Sequence, residues 1–273
     1  MKLPQRRRPI LIGKTEAMIA GLAVALMVTA GCTRTVRTDL DYDYEVYQRV
    51  STREFDDREL LQFESVFWEP DDSISLRELI REDRIAAGRT VLEIGTGTGL
   101  IALVCLHYGA KQVLATDINP AAVANARYNA AMLNLESGFE VRQVDPRQPE
   151  AFSVIKPGER FDLIVSNPPW EDGPVSRPAD RAFYDPKFVL MDSLLDGLPS
   201  HLNPGGRCLL AYGHKPAIAR LLERADTLGY QTAILDDRNL EELPADFLPG
   251  MLIEIRLGRN SIPETQAGND PSP

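Results

Sequence analysis

The sequence predicts an α/β fold with a doubly wound, mostly parallel sheet of seven strands. From residue 90 onward, short apolar runs typical of buried strands alternate with longer segments of helical periodicity. The composition, 44% hydrophobic and 26% charged in 273 residues, suits one compact α/β domain with extensions. The last two apolar runs have no helix between them, which permits an antiparallel final strand.

The predicted elements follow one another along the chain. Strands are predicted at 90–94, 112–116, 139–144, 161–165, 207–212, 230–235 and 251–257. Helices are predicted from about residue 74 and at 100–108, 120–133, 187–201 and 216–228. Pro120 suits the first turn of its helix, with Asn119 as the cap. Asp72 or Ser73 is expected to cap the helix that begins near Ile74.

A glycine-rich turn, Glu93-Ile94-Gly95-Thr96-Gly97-Thr98-Gly99, joins the strand at 90–94 to the next helix. Glycines let the backbone turn tightly and approach a ligand, and the helix N-terminus adds free N–H groups and partial positive charge. The turn therefore predicts a nucleotide site, although it could also merely link strand and helix. A dinucleotide fingerprint would place a glycine where this chain has Leu100, which disfavours a nicotinamide dehydrogenase.

Two acidic residues end the next strands of the predicted sheet. Asp117 lies twenty positions after Gly97, where a carboxylate can accept hydrogen bonds from both hydroxyls of a ribose; the alternative is a helix cap. Asp145 ends the third strand just before Pro146, where it could also be a solvated turn residue.

The segment Asn167-Pro168-Pro169-Trp170 follows the fourth strand. Two consecutive prolines fix φ and remove two N–H donors, so nearby carbonyl groups lack internal partners. The Asn167 side-chain oxygen and the Pro168 carbonyl could then both accept from one planar NH2 group, on which Trp170 could stack. The alternative is a rigid loop with a packing tryptophan.

These motifs resemble those of a known enzyme family over residues 63–257. The pattern E-x-G-x-G-x-G at 93–99 resembles motif I of the class I S-adenosylmethionine (SAM) methyltransferases. Asn167-Pro168-Pro169-Trp170 resembles motif IV of enzymes that methylate amide or exocyclic amine nitrogen, including release-factor glutamine, nucleic-acid base and ribosomal-protein methyltransferases. Residues 63–79 resemble the stretch in which an aromatic-x-x-Pro turn covers the SAM site, although a capped helix packed on the sheet is an equal alternative.

The resemblance implies a Rossmann-like fold, SAM as the cofactor and no metal. It places Glu93 near the amino group of SAM, Asp117 on the ribose, Ile118 against the adenine and Asp145 on the adenine amine. The remaining cofactor residues that it implies are Gly95, Gly97, Gly99 and Asn167. The catalytic residues that it implies are Asn167, Pro168 and Trp170, and the substrate site adds Pro169.

The predicted function is SAM-dependent N-methylation of an amide or exocyclic amine nitrogen. A protein substrate, of glutamine type, is favoured because the chain carries a net charge of −10 and residues 1–31 alone are basic. The alternative is methylation of an RNA or DNA base, for which only Arg177 and Arg181 lie near the motif in sequence. Asp172 and the run 177–185 are expected to form the substrate-facing loop.

Residues 1–32 resemble an export signal, with a basic start and an apolar stretch at 17–30 that is short for a membrane span. The end of this segment, Val28 to Cys32, resembles a bacterial lipobox and implies lipidation of Cys32. A membrane-attached lipoprotein is expected, and the alternative is a cytoplasmic protein whose true start lies downstream, for example at Met27. An exported, non-catalytic lipoprotein that retains the SAM-binding fold is a further alternative, because SAM is a cytoplasmic metabolite.

The remaining segments carry no predicted chemistry. Residues 33–62 are expected to be a polar linker or a loosely packed arm, and residues 258–273 a disordered tail. Cys105 and Cys208 lie in apolar segments and are predicted core residues, so neither a disulfide framework nor a metal site is expected.

Overall fold

The computed structural model describes residues 37–258, and its residues from Leu40 onward form one compact unit. The predicted signal segment 1–32 with Cys32, and residues 259–273 of the predicted tail, lie outside the described residues. Within the described range, no helix has both the length and the apolar character needed to cross a membrane.

Nine strands and five α-helices are described. The strands are β1 Val46–Ser51, β2 Glu59–Phe63, β3 Thr90–Ile94, β4 Gln112–Asp117, β5 Phe139–Gln143, β6 Phe161–Ser166, β7 Leu202–His214, β8 Gln231–Ile234 and β9 Asp246–Arg256. The helices are α1 Ile74–Glu82, α2 Leu100–His107, α3 Pro120–Leu133, α4 Val189–His201 and α5 Lys215–Thr227. Short 3₁₀-helices include Pro70–Ser73, Pro178–Ala182 and Pro186–Phe188.

Strands β3 to β9 form the predicted seven-stranded sheet, in the order β5-β4-β3-β6-β7-β9-β8. Neighbours from β5 to β7 run parallel, and β9 pairs antiparallel with both β7 and β8. The predicted fold class is confirmed, including an antiparallel final strand. Successive strands from β3 are added on one side as far as β5 and then on the other from β6, so the carboxyl ends of β3 and β6 flank the crevice in which such sheets bind ligands.

The sheet is buried on both faces, and its central strands accordingly carry apolar side chains on both faces. In β3, Leu92 and Ile94 pack into one core cluster, together with residues of α4 and α5. Val91 faces the opposite cluster, which includes residues of α1, α2 and α3. This alternation follows from the two-residue period of a strand. Cys105 and Cys208 are fully buried in these clusters, as predicted.

Several element boundaries differ from those predicted, and two of them change how α4 joins its neighbours. Helix α4 begins two residues after the predicted start because Lys187 and Phe188 have φ of 58° and 56°, in the left-handed region. Strand β7 begins at Leu202, although the strand was predicted only from residue 207. The chain therefore passes from α4 directly into an extended segment.

The expectation of a polar linker over residues 33–62 is wrong for its second half. Strands β1 and β2 pair antiparallel, and Leu60, Leu61 and Phe63 are buried. The hairpin is hard to predict from the sequence because β1 is almost wholly exposed and lacks the alternation of apolar and polar residues typical of a half-buried strand. The apolar side of β2 packs on α3, whose residues Asn125 and Asn129 hydrogen-bond the β2 backbone.

Candidate functional site

A cleft opens at the carboxyl ends of β3, β4 and β6, at the crevice that the strand order predicts. Its lining includes most of the predicted cofactor residues, namely Glu93, Gly95, Gly97, Asp117, Ile118 and Asn167. These residues come from three different strand ends, so the fold brings them together over long sequence separations.

The glycine turn has the backbone conformation that its glycines were expected to supply. Gly95, Gly97 and Gly99 have φ of 76°, 55° and 87°, which side chains with a Cβ rarely adopt. Gly99 also permits close packing, because a Cβ there would lie 3.1 Å from the Cα of Ala126 in α3.

Most N–H groups of this turn are already bonded within the protein. Gly95 and Thr96 both donate to the Thr116 carbonyl, at 2.9 and 3.0 Å, and Gly97 donates to Asp117 Oδ2 at 2.8 Å. The pyrophosphate of a dinucleotide needs free N–H groups at such a turn. Three donors of this turn are therefore not available to a phosphate, which disfavours a nicotinamide cofactor.

Asp117 is half-buried at the end of β4, and its carboxylate is fixed by two backbone donors. One oxygen accepts from Gly97 N and the other from Asn119 N, each at 2.8 Å. A carboxylate has about four acceptor positions, so about two remain for a ligand. Burial raises the pKa of Asp117, and the backbone hydrogen bonds partly oppose that increase. The arrangement fits the predicted role toward two hydroxyl groups.

Glu93 lies at the end of β3 with 1% of its surface exposed. Its Oε2 accepts from the Thr96 hydroxyl and from Ala102 N in α2. Burial raises the pKa of Glu93 to about 8, and the two hydrogen bonds and the charge of Asp117 modify that effect. A cation placed beside this carboxyl would favour its ionised form.

Asn167 follows β6 and presents the clearest unsatisfied group of the cleft. Its Oδ1 is buried and has no hydrogen-bond partner among the described residues. Its Nδ2 donates to Asp72 Oδ2 over 3.5 Å. An unpaired buried acceptor is costly, and such groups concentrate where a ligand completes the bonding. The cleft is therefore built to receive a hydrogen-bond donor at Asn167 Oδ1.

Asp72 has a different role from the predicted one. Neither Asp72 nor Ser73 makes a side-chain cap on α1, and Glu69 instead caps the preceding 3₁₀-helix, accepting from Asp71 N. The Asp72 carboxyl is buried beside Asn167, and burial raises its pKa to about 6. The sequence feature that could have indicated this role is the position of Asp72, shortly after Pro70, in the turn that resembles the cover of a SAM site.

The Asn167-Pro168-Pro169-Trp170 motif is only partly in the cleft. Pro169 lines it, whereas Pro168 is buried and Trp170 lies outside the lining. Trp170 Nε1 donates to the Ala211 carbonyl at 3.2 Å, and its ring lies so close to Gly213 that a Cβ there would be 2.5 Å away. This ring packs against the sheet, and the expected stacking of Trp170 on a substrate has no support in this geometry.

Asp145 also lies outside the cleft. Its carboxylate accepts from the backbone and side chain of Arg147, an exposed residue, and this pairing lowers the pKa of Asp145 to about 2. The expected contact of Asp145 with an adenine amine therefore has no support in this geometry. Val144, which precedes Asp145, and Glu150, which follows it further along the same loop, line the cleft instead.

The turn before α1 covers the cleft, as the resemblance suggested. Phe67, Trp68 and Pro70 line it. Two polar contacts hold this turn: Asn119 Nδ2 donates to the Ser65 carbonyl at 2.8 Å, and Arg77 donates to the Pro70 carbonyl at 2.7 Å. Aromatic surface in the cleft therefore comes from this cover rather than from Trp170.

The loop after the motif forms the opposite wall. Arg181, Tyr184 and Asp185 line the cleft, whereas Asp172 accepts from Lys187 N at 2.7 Å and so closes the loop. The buried carboxylate of Asp185 accepts from the N–H groups of Leu190 and Met191 at the start of α4. Burial raises the pKa of Asp185.

The cleft fits SAM better than it fits a metal or a phosphate-bearing cofactor. It offers a fixed carboxylate at Asp117, a buried carboxyl at Glu93 and apolar surface at Ile118. Over residues 37–258, no cluster of His, Cys, Asp and Glu side chains is arranged to hold a metal ion.

Comparisons with known proteins agree with this description. The family model described as ribosomal protein L11 methyltransferase (PrmA) matches residues 73–168. A release factor glutamine methyltransferase from Cereibacter sphaeroides is 38% identical over 150 residues, 50% of this chain and 51% of that protein. The chain thus spans about half the length of that relative.

A second relative is matched over more of its length. The release factor glutamine methyltransferase from Bordetella pertussis is 30% identical over 193 residues, 66% of this chain and 68% of that protein. Among solved structures, a SAM dependent methyltransferase from Agrobacterium tumefaciens shares the fold, with a TM-score of 0.52 and 17% identity over 76% of this chain and 69% of that one. By its match to the Bordetella protein, its sheet and its glycine turn, this chain belongs to the release factor glutamine methyltransferase family, which has the class I fold of SAM-dependent methyltransferases.

Proposed function

We propose that this protein transfers a methyl group from SAM to the side-chain amide nitrogen of a glutamine in a protein. The observation that carries the proposal is Asn167, whose Oδ1 is buried in the wall of the cleft without a partner. A primary amide supplies the N–H donors that this oxygen lacks. The relatives named release factor glutamine methyltransferase make a release factor the first substrate to test.

The residues that would hold SAM line the cleft at the carboxyl ends of β3 and β4. Asp117 would accept from the ribose hydroxyls through its remaining acceptor positions, and Ile118 would pack against the adenine. Glu93 would face the cationic methionine end, where a carboxylate is favoured. When bound, SAM supplies an electrophilic methyl group on a positively charged sulfur.

The acceptor nitrogen needs help because the lone pair of an amide is delocalised into its carbonyl group. Asn167 Oδ1 would accept one N–H of the acceptor, and the Pro168 carbonyl would accept the other. Two acceptors holding both hydrogens favour a pyramidal nitrogen with a localised lone pair. Positioning of this kind can contribute roughly 7–11 kcal/mol, and no strong base is required, because the proton becomes acidic once the nitrogen is methylated.

The charge of the cleft favours a protein acceptor over a nucleic acid. Its lining carries five acidic residues, Glu69, Glu93, Asp117, Glu150 and Asp185, against the single cationic residue Arg181. A phosphate backbone requires several Lys or Arg contacts. We therefore place methylation of an RNA or DNA base second.

Substitution of Asn167 tests the proposed function. We expect Asn167→Ala to leave the affinity for SAM within about twofold and to abolish transfer of labelled methyl groups from SAM to a purified release factor. Equal loss of SAM affinity and of turnover would contradict the role of Asn167 toward the acceptor. Failure of the unaltered protein to label the release factor, while it methylates duplex or single-stranded nucleic acid, would favour the second candidate.

We also propose that residues 1–32 attach the protein to a membrane through Cys32, on the strength of the lipobox-like sequence alone. A cytoplasmic protein translated from a downstream start is the alternative, and it agrees better with the supply of SAM. Labelling of cells with a radioactive fatty acid distinguishes them: the label should appear on the full chain and not on Cys32→Ser. An unlabelled protein in the soluble fraction would contradict membrane attachment, whereas a labelled, exported protein that does not bind SAM would favour the non-catalytic lipoprotein.

A further inference from the structure

The side chains of Asn167 and Asp72 meet beside the cleft although they are 95 residues apart in sequence. An asparagine amide has two ends of nearly equal shape, and only hydrogen bonding decides which end points in which direction. With Nδ2 on the carboxylate, Oδ1 is the end left for an acceptor nitrogen. In the reverse orientation, two oxygen acceptors would face each other and an amide donor would replace the acceptor in the site.

We propose that Asp72 is a positioning residue whose carboxylate holds the Asn167 amide with Oδ1 available to the acceptor nitrogen. The proposal deepens the proposed function and rests on it for its kinetic consequences. The hydrogen bond also draws electron density toward Oδ1, because a donated N–H bond to an anion polarises the whole amide. Asp72 therefore sets both the direction and the strength of the acceptor.

The fold fixes Asp72 where this contact requires it. Its 3₁₀-helix packs on β7 and β9, and a Cβ at Gly250 would lie 2.6 Å from the Asp72 carbonyl oxygen. Only glycine permits that close approach of β9. The preceding Pro70 carbonyl accepts from Arg77, which forms a buried ion pair with Glu54. The turn is thus held from both sides.

A purely structural role accounts poorly for the carboxyl group. Asp72 is 6% exposed and does not cap α1, and the hydrogen bond described for its carboxyl is the one from Asn167. Burial of an anion with so little compensation costs stability. A group retained at that cost, beside an unpaired acceptor, is typical of a functional site.

The titration of Asp72 gives a direct readout of this contact. Its pKa is raised to about 6, chiefly by burial, and the nearby charges of Glu69 and Asp71 raise it further. Around this turn, α1 contributes Arg77, whose guanidinium is held by Glu54 and the Pro70 carbonyl, and β7 contributes Tyr212, whose pKa is raised by burial so that it stays protonated. The side-chain amide signals of Asn167 should therefore report the ionisation of Asp72.

The first experiment follows these amide signals by ¹⁵N–¹H NMR in the full chain without SAM, assigned through their loss in Asn167→Ala. Between pH 4.5 and 8 they should shift with a midpoint near 6 in the unaltered protein, and they should still titrate, with a lower midpoint, in Asp71→Ala, a matched control that removes an exposed acid on the same turn. They should lose this titration in Asp72→Asn. Signals that titrate equally in Asp72→Asn would overturn the proposal.

The second experiment separates binding from turnover with SAM and a purified release factor. Asp72→Ala should lower kcat at least tenfold, while KM for the release factor and Kd for SAM stay within twofold. Asp72→Asn, which retains one acceptor oxygen, should lose less, and Asp71→Ala should match the unaltered protein. Loss of SAM affinity equal to the loss of kcat would overturn the proposal. If the unaltered protein does not methylate the release factor, the proposed function fails, and the NMR experiment still decides the role of Asp72.

Discussion

At the scale of single residues, two acids that end neighbouring strands have opposite surroundings. Asp117 is oriented by two backbone N–H groups on the cleft wall, whereas Asp145 is paired with Arg147 outside it. Their sequence contexts are similar, since each ends a short strand of the sheet. Only the course of the chain after each strand separates a ligand-binding acid from a turn acid.

This difference predicts a contrast between two alanine variants. Asp117→Ala should weaken SAM binding by about 1.5–3 kcal/mol, the range for hydrogen bonds to charged groups. Asp145→Ala, the matched control, should leave the affinity unchanged, because its carboxylate is held by Arg147. Calorimetric titration of SAM into both variants makes the measurement. Equal losses of affinity in the two variants would show that Asp145 contributes to SAM binding. Unchanged affinity in Asp117→Ala would contradict the role of Asp117 toward the ribose.

Glu93 predicts a link between SAM binding and protons. Its pKa is raised to about 8, so near pH 7 the free protein holds this carboxyl mainly protonated. A sulfonium and an ammonium group beside it would favour ionisation, so binding should release a large fraction of one proton per SAM. Calorimetry in buffers of different ionisation enthalpy measures that number. The same release in Glu93→Gln would contradict the assignment.

The same shift predicts how stability depends on pH. A carboxyl whose folded pKa lies above its unfolded value of 4.5 stabilises the fold fully below pH 4.5, and this contribution is lost as pH rises to about 8. Glu93→Gln cannot ionise, so it should be more stable than the unaltered protein at pH 8–9, by up to a few kcal/mol, and nearly equal to it near pH 4.5. Urea unfolding without SAM at both pH values measures the difference, and an identical difference at both would contradict the buried-charge account.

At the scale of elements, prediction succeeded where the local pattern and the tertiary environment agree. The parallel strands are short apolar runs, the turn is marked by its glycines, and α3 begins with a capping residue and a proline, so the local sequence determines each of these elements. Helix α3 has the predicted bounds. The hairpin of β1 and β2 was missed because its stability comes from distant partners. The position of Trp170 was hard to predict for a similar reason. Its ring occupies the space left by the missing side chain of Gly213, a residue distant in sequence.

The partners of that hairpin predict a large effect from a single asparagine. Asn129 Oδ1 accepts from Leu61 N, and its Nδ2 donates to the carbonyls of Leu61 and Thr98, each at 2.8 Å. Asn129→Ala would leave at least two buried backbone groups unpaired, which costs about 2–6 kcal/mol at about 1–3 kcal/mol each. Urea unfolding measures this loss. Asn239→Ala, which removes an exposed cap on Glu241 N, should cost no more than about 1 kcal/mol, and equal losses would contradict the anchoring role.

At the scale of the whole molecule, the site depends on the hairpin as well as on the sheet. Asn129 joins β2 to the Thr98 carbonyl of the glycine turn, and Asn119 joins the cover of the cleft to the start of α3. The hairpin, the turn that covers the cleft and the glycine turn are therefore all hydrogen-bonded to α3 or to its capping residue. The compact unit that begins at Leu40 contains all of these contacts.

This arrangement predicts which parts of the chain the chemistry needs. A protein that begins at Leu40 should bind SAM with the affinity of the full chain, because every residue of the cleft lies after that point. A protein that begins at Glu64, after β2, should be strongly destabilised, since it loses the buried side chains of Leu60, Leu61 and Phe63 and exposes the face of α3 that β2 covers. Circular dichroism and calorimetric titration of the two proteins make the comparison. Binding by the shorter protein would show that the hairpin is dispensable, whereas loss of binding in the longer one would assign residues 1–39 a part in the site rather than in localisation alone.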